Sequence, residues 1–481
     1  MSKISIVWFR NDLRLKDNDT LMSALKESDE IIPIYCFDPR HFEKTTKYGF
    51  QKFSPNKLSF LLQSILDLRF SLKELGGNLI IRYGKPEDKV FEIAQKFNAN
   101  AVYCQEEVCS EEIIVEQALE DKLNTIDVSI EYFWGNTLIN FDDLPFTIEN
   151  LPDIFTKFRQ SVESSLHVRS EIQTPDFINF TQGIEPGEIP SLEKLGFDAE
   201  KEEKPSNLYQ GGETSGLLRL KYYLWETDLI ENYKETRNEL LGKDFSSKFS
   251  MWLAYGCISP RTIYWEIDQY EKERVKNKST YWMIFELLWR DYFKFIAVKY
   301  GDLIFKEGGI KKANIHYKND PKKVKAWLDG QTGIPFIDAN MRELKKTGFM
   351  SNRGRQNVAS FLVKDLKLDW LIGAEYFEST LIDYDPSSNY GNWNYIAGIG
   401  NDPREGRYFN ILKQAKQYDQ YGDYVKYWIP ELSDLPSTRI HEPYLLKMAE
   451  QDFLKIKIGE TYPSPCINVY NWKSNKSKKK Y

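Results

Sequence analysis

Histidine is scarce in this 481-residue chain, with only His41, His167, His316 and His441, and the cysteines Cys36, Cys104, Cys109, Cys257 and Cys466 contain no CxxC pair. Neither a zinc site nor a disulfide framework is implied. The loop after the first apolar run, RNDLRLKDND, carries no GxGxxG and no P-loop, so the ordinary dinucleotide and NTP fingerprints are absent. No apolar run reaches spanning length, and MSKISIVWF enters a strand pattern without signal-peptide organisation. A cytosolic, reducing location is expected. Positive charge is also short: the net charge is −6, so any nucleic-acid contact requires a local basic face.

Aromatics are plentiful, at 15% of the chain. They suit either stacking surfaces or a Tyr- and Phe-rich core. The length suggests two or three domains. Short apolar runs at 4–9, 31–37, 78–84, 101–105 and 128–134 alternate with helical patterns around 21–27, 58–75, 87–97 and 111–123. Little alternation within the runs marks strands buried on both faces, and the βα repeats predict a doubly wound parallel sheet over 1–139. Residues 140–210 read as a long connector wrapped on the surface. From 211 to 470 the pattern is helical, with expected helices that include 247–254, 260–271, 281–300, 335–346 and 355–366; a short basic tail fills 471–481. The second domain is therefore expected to be all-α.

Several constellations point to chemistry. In 381–410, Asp383, Asp385 and Asn389 mix with Tyr384, Tyr390, Trp393 and Tyr395 among turn formers, which suits a flat, polar-rimmed ligand or a structured surface loop. Glu286, Trp289, Arg290 and Phe293 fall at i, i+3, i+4 and i+7, one helix face lining a polar cavity or a salt-bridged surface. Asn352, Arg355 and Gln356 gather amide and guanidinium groups in the same way, and Arg355 suits a carboxylate such as Asp383, functionally or as a plain bridge. Ser246, Ser247, Lys248 and Ser250 stand where a helix is expected to begin, a phosphate site or simply a cap. Adjacent Glu106 and Glu107 follow the fourth strand, where a small amine-bearing ring or only solvent would meet them. Trp393, Trp370 and Tyr317, taken singly, look more like core than redox relay.

Together these segments, from VWFRNDLRL to WIPEL, resemble the photolyase/cryptochrome flavoproteins over nearly the whole chain. The resemblance implies an all-α domain holding FAD in a U-shaped fold. Tyr233, Ser246, Ser247, Lys248, Phe249 and Ser250 match its phosphate and ribityl side. Glu286, Arg290, Asn352, Arg355, Asp383, Asp385 and Asn389 match the residues around adenine and isoalloxazine. A methenyltetrahydrofolate antenna is also implied, with Glu107 as its expected ligand in a register to be settled against Glu106. Within the family, SNRGRQNVASF, NLPDIFTKFR and GGETSGLLRL look like the DASH cryptochromes. Gln356 replaces the Met, and Tyr395 a second Trp, of bacterial dimer photolyases.

In DASH proteins those changes accompany repair of cyclobutane pyrimidine dimers in single-stranded or looped DNA. Extruding a dimer from a duplex costs a few kcal/mol, and a wall lacking one indole recovers less of it. The implied mechanism is electron donation from excited FADH⁻ to the flipped dimer, with Glu286 on the 5′ base, Asn352 on the lesion edge and Trp289 stacked upon it. Asn389, facing flavin N5, is an amide and a poor proton source. Trp393, Trp370 and Tyr317 match the electron-transfer triad, Tyr317 standing where Trp is usual. The alternative is a light-signalling photoreceptor that binds DNA or a partner without repair, made less favourable by the expectation that no long extension follows the helical region. A plain flavin oxidoreductase lacks an evident hydride-donor site.

Overall fold

The structure is a computed structural model that describes all residues except 1, 44, 199–203, 207, 405, 470–471 and 473–481. The basic tail, apart from Trp472, lies outside the described residues. The chain forms two compact units, each discontinuous in sequence: Met1–Lys234 with Ser247–Ile304 and Phe377–Gly391, and Glu235–Ser246 with Phe305–Tyr376 and Asn392–Tyr481.

The first unit is built on a parallel sheet of β1 (Ile4–Trp8), β2 (Glu30–Phe37), β3 (Ile80–Tyr83), β4 (Ala101–Gln105) and β5 (Ser129–Phe133), in the order β3-β2-β1-β4-β5. Ile6 pairs with Ile32 on one side and with Val102 on the other. Their burial to 1% or less explains why the strands show continuous apolar runs rather than alternation. The strand order reverses between β1 and β4, so a crevice opens at their carboxyl ends. The loop after β1 is held there by Arg14, 2% exposed, whose guanidinium donates to the carbonyls of Lys16, Asp17, Gly135 and Gly256.

The connector, largely exposed beyond 163, is anchored at a few points. It contains the helix Phe155–Glu163, which buries Phe155, Phe158 and Val162. Asn179 and Thr181 bond Ile31 of β2, and Ile81 of β3 donates to the Pro186 carbonyl at 2.7 Å. Its weak periodicity reflects short packed pieces, each too brief to repeat a pattern.

Proline and capping residues set many helix starts. Ser259 caps Pro260–Glu273, and Asn277 with Thr280 forms a capping box that starts Lys278–Tyr300 three residues before the expected 281. In the second unit, Pro335–Thr347 ends at Gly348 with φ +70°. The helix expected at 355–366 instead begins at Asn352, because Ser351 caps the Gly354 N–H, and it passes at Phe361 into a π-turn ending at Asp365. The helical region expected after 211 holds no strand among the described residues, only isolated bridges such as Lys318↔Leu368. No described helix is long and apolar enough to cross a membrane.

The stretch 381–410 contains a helix, Pro386–Ala397. Asp385 accepts the Ser388 N–H at 2.7 Å at its start, and Pro386 opens it. Ser387, Asn389, Tyr390, Trp393 and Asn394 are all buried. A helix buried nearly all round has no polar stripe, so its sequence resembles a loop. Residues 377–391 are fastened within the first unit by Lys57, which donates to the Glu378 carbonyl at 2.7 Å and lies 4.4 Å from the centroid of the Tyr384 ring.

Candidate functional site

At the carboxyl end of β4 stands a buried carboxylate, Glu107, 7% exposed. Its Oε1 accepts from Asn11, in the loop after β1, at 3.2 Å and from Gln105 at 3.1 Å, and its Oε2 lies 2.7 Å from Lys294 Nζ. Burial would raise this carboxyl, but Lys294 and Arg10 outweigh it and hold it down at about 2. Glu106, beside it, is exposed and pushed up by partial burial and by Glu116. Gln105 is 1% exposed, and its Oε1 has no hydrogen-bond donor. An ionised carboxylate beside an amide oxygen in want of a donor fits the N–H-rich edge of an aminopyrimidine ring.

Lys294 belongs to the helix Lys278–Tyr300, which also carries the expected Glu286, Trp289, Arg290 and Phe293. Glu286 is half-buried. Trp289 stacks on Phe155 with centroids 3.6 Å apart at 11°, so one face of its indole is already covered. Arg290 bonds the backbone and side-chain oxygens of Asn136 and the Leu253 carbonyl. Asp291 accepts from the Leu138 and Ile139 N–H groups at 3.0 and 2.9 Å, and burial lifts its carboxyl to about 7 against those bonds. The start of the Pro386–Ala397 helix runs so close to this helix that a Cβ at Gly391 would fall 2.3 Å from Phe293 Cδ1. That contact brings Asn389 and Asp385 beside it, and Asp385 reinforces the charged state of Lys294. Asp383 is half-buried and, after burial itself, Tyr35 and Cys257, helps raise the Tyr255 hydroxyl.

On the same unit, Lys248 is buried in a left-handed conformation, φ +63°. That kink delays the helix expected from 247, which spans only Ser250–Ala254. Such a short helix offers little dipole, so anion affinity there depends on charge. Arg219 donates to the Ser247 carbonyl at 3.0 Å and lies 5.2 Å from the centroid of the Tyr223 ring, whose edges meet Tyr233 and Phe249. Two cations among aromatic rings fit a diphosphate joined to flat heterocycles, the chemistry of a flavin dinucleotide. Ser246 packs with the second unit.

In the second unit, Asn352 is exposed at the first position of its helix, and Arg355 donates to the Met350 carbonyl at 2.9 Å. Gln356 accepts from Arg353 at 2.9 Å. Arg353 also donates to Asn238 and Gln414, and its guanidinium lies 4.5 Å from the centroid of the Tyr418 ring. All these partners are neutral. Burial, and then the nearby Arg237 and Arg407, lower the pKa of Arg353 despite Tyr418. Reading the helix by i, i+3 and i+4 passed over Arg353; the signal was its place between Asn352 and Arg355 in SNRGR. Tyr395 is half-buried, with Arg407 5.0 Å from its ring centroid and Asp402 hydrogen-bonded to its hydroxyl.

The three aromatics of the expected relay share this unit. Trp393 is 2% exposed and lies against Gly373, one helical turn beyond Trp370. Trp370 is fully buried and donates to the Glu307 carbonyl at 3.0 Å. Tyr317 precedes the Lys318↔Leu368 bridge, and its hydroxyl is raised by burial, Asp369 and Glu307.

The family model described as DNA photolyase matches residues 5–176, and that described as FAD binding domain of DNA photolyase matches residues 282–480. Proteins named cryptochrome DASH from Gloeobacter violaceus and Xenopus laevis are each 50% identical across 98% of this chain, which covers 94% and 91% of them. A cryptochrome structure from Synechocystis sp. matches with a TM-score of 0.94 at 48% identity, over 98% of this chain and 97% of that one. An archaeal photolyase from Sulfolobus tokodaii, solved with two FAD molecules, matches at 0.79 and 29% identity over 98% and 99%.

Proposed function

Because the chain belongs to the photolyase/cryptochrome family, we propose that this photolyase-like flavoprotein repairs cyclobutane pyrimidine dimers in single-stranded or looped DNA. The observation that carries the DNA side is Arg353, held by neutral partners and crowded by Arg237 and Arg407. Arg353, beside Arg237 and an Arg407 already paired with Asp402, on a chain of net charge −6, favours a phosphate backbone at that place. Tyr395, with Arg407 against its ring, is a smaller and more polar wall than an indole, which favours substrates that need no extrusion from a duplex.

FAD, when bound, supplies the photo-excitable one-electron donor. The chain's own residues bind and orient. Lys248 and Arg219 offer cations to the diphosphate, with Tyr233, Ser246, Ser247, Phe249 and Ser250 assigned to the same side by the family resemblance. Asn389, an amide, withholds a proton from N5, while Arg290, Arg355, Asp383 and Asp385 are assigned to the ring systems. Glu286 and Asn352 are assigned to the lesion bases, Gln356 and Tyr395 to its walls, and Trp289 to stacking on the lesion. Trp393, Trp370 and Tyr317 form the relay that recharges the cofactor. Glu107 is assigned to a methenyltetrahydrofolate antenna.

Illuminating the reduced protein with dimer-containing single-stranded and duplex oligonucleotides tests this reading. Restored pyrimidine absorbance is expected first on the single strand. No restoration on either substrate would favour the light-signalling alternative.

A further inference from the structure

We propose that Lys294 is a positioning residue for the antenna ligand: acting through Glu107, it orients that carboxylate and keeps it ionised, an acceptor for a ring N–H of an aminopyrimidine. The inference rests on the proposed assignment of Glu107 to the antenna. Lys294 projects from the helix that carries Glu286 and Arg290, yet its ammonium is spent on the end of β4, 2.7 Å from Glu107 Oε2, with side-chain exposures of 5% and 6%. The carboxylate is thereby fixed from three elements: the loop after β1 through Asn11, β4 through Gln105, and this helix through Lys294. Those donors use three of about four lone-pair positions. One remains for a ring N–H, and the Gln105 Oε1, buried without a donor, stands beside it.

The electrostatic surroundings make Lys294 decisive. Glu116, Glu112, Glu106 and Asp12 all face Glu107, and Glu112, driven mainly by burial, already sits at about 7. Against them stand the cations Lys294 and Arg10, helped by the Asn11 hydrogen bond, and Arg10 is itself paired with Glu116. Asp385 and Cys109 lie on the far side of Lys294 and help keep it charged. Without that ammonium, a buried carboxyl among so many like charges takes up a proton near neutrality and turns from acceptor to donor.

The test uses the full-length, flavin-loaded protein titrated with 5,10-methenyltetrahydrofolate, followed by pterin fluorescence between pH 5.5 and 7.5, with flavin content measured separately. The native protein is expected to bind with a flat pH profile. Lys294→Met and Lys294→Gln should lose about tenfold in affinity at pH 6 and recover as pH rises, while Lys294→Arg should stay within about threefold of native and flat. Wild-type affinity with a flat profile in either neutral variant, or a loss in Lys294→Arg equal to that in Lys294→Met, overturns the inference. Should Lys294→Met not fold, Lys294→Gln and Lys294→Arg decide it. Glu107→Gln is the separate control: undiminished pterin binding there removes Glu107 as the ligand, whatever Lys294 does.

Discussion

Trp393 rests on Gly373 so closely that a Cβ at that glycine would fall 2.1 Å from the indole Cη2. The contact places one indole of the proposed relay one turn along the helix that begins with the other, Trp370. Gly373→Ala should displace Trp393 and destabilise the protein by about 1–3 kcal/mol through overpacking. Denaturant unfolding measures the cost, and slower flavin photoreduction in the folded fraction is the accompanying expectation.

If Tyr317 is the end of the proposed relay, it must shed a proton as it is oxidised, ending as a neutral radical, and burial with Asp369 and Glu307 raises its hydroxyl. Photoreduction is expected to slow in Tyr317→Phe, and to speed up and lose its pH dependence in Tyr317→Trp. Identical photoreduction rates in the two variants would take Tyr317 out of the path.

On the proposed function, Arg353→Ala should weaken binding of single-stranded DNA. The slope of log affinity against log salt should fall by about 0.7, the value for one phosphate contact on a single strand. An unchanged slope in a fluorescence-anisotropy titration would mean that Arg353 serves only its partners within the chain, Gln356, Asn238, Gln414 and Tyr418.

Asp291 links pH to stability. Its carboxyl is raised to about 7 in the fold, mainly by burial, from an ordinary value near 3.8. The folded state therefore holds that proton more tightly than the unfolded chain. Its stabilisation is complete below about pH 4 and is lost as pH climbs through about 7. Asp291→Asn should flatten the pH dependence of unfolding across that window, at a cost of about 1–2 kcal/mol because an amide oxygen alone serves the Leu138 and Ile139 N–H groups less well.

Strands buried on both faces announced themselves as continuous apolar runs, and Pro260 and Pro335 open their helices where the pattern placed them. The helix Pro386–Ala397 stayed hidden because Ser387, Asn389 and Trp393 are buried on different sides of it, so no apolar stripe survives. Lys248 broke its expected helix through a left-handed turn that a lysine seldom signals. Arg353 escaped because its partners, Asn238 and Gln414, lie far away in sequence. The acidic pair Glu106 and Glu107 was legible, but the pairing of Glu107 with Lys294, remote in the chain, was not. Local chemistry is visible in a sequence, whereas long-range pairing is not.

The first unit closes only with Phe377–Gly391, although its sheet is complete at Phe133. On a ribosome adding ~5–20 residues per second, the sheet emerges tens of seconds before the segment that finishes its packing. During that interval Lys57 lacks the Glu378 carbonyl and the Tyr384 ring that it meets in the finished unit. The order of synthesis thus sets when the first unit can finish packing.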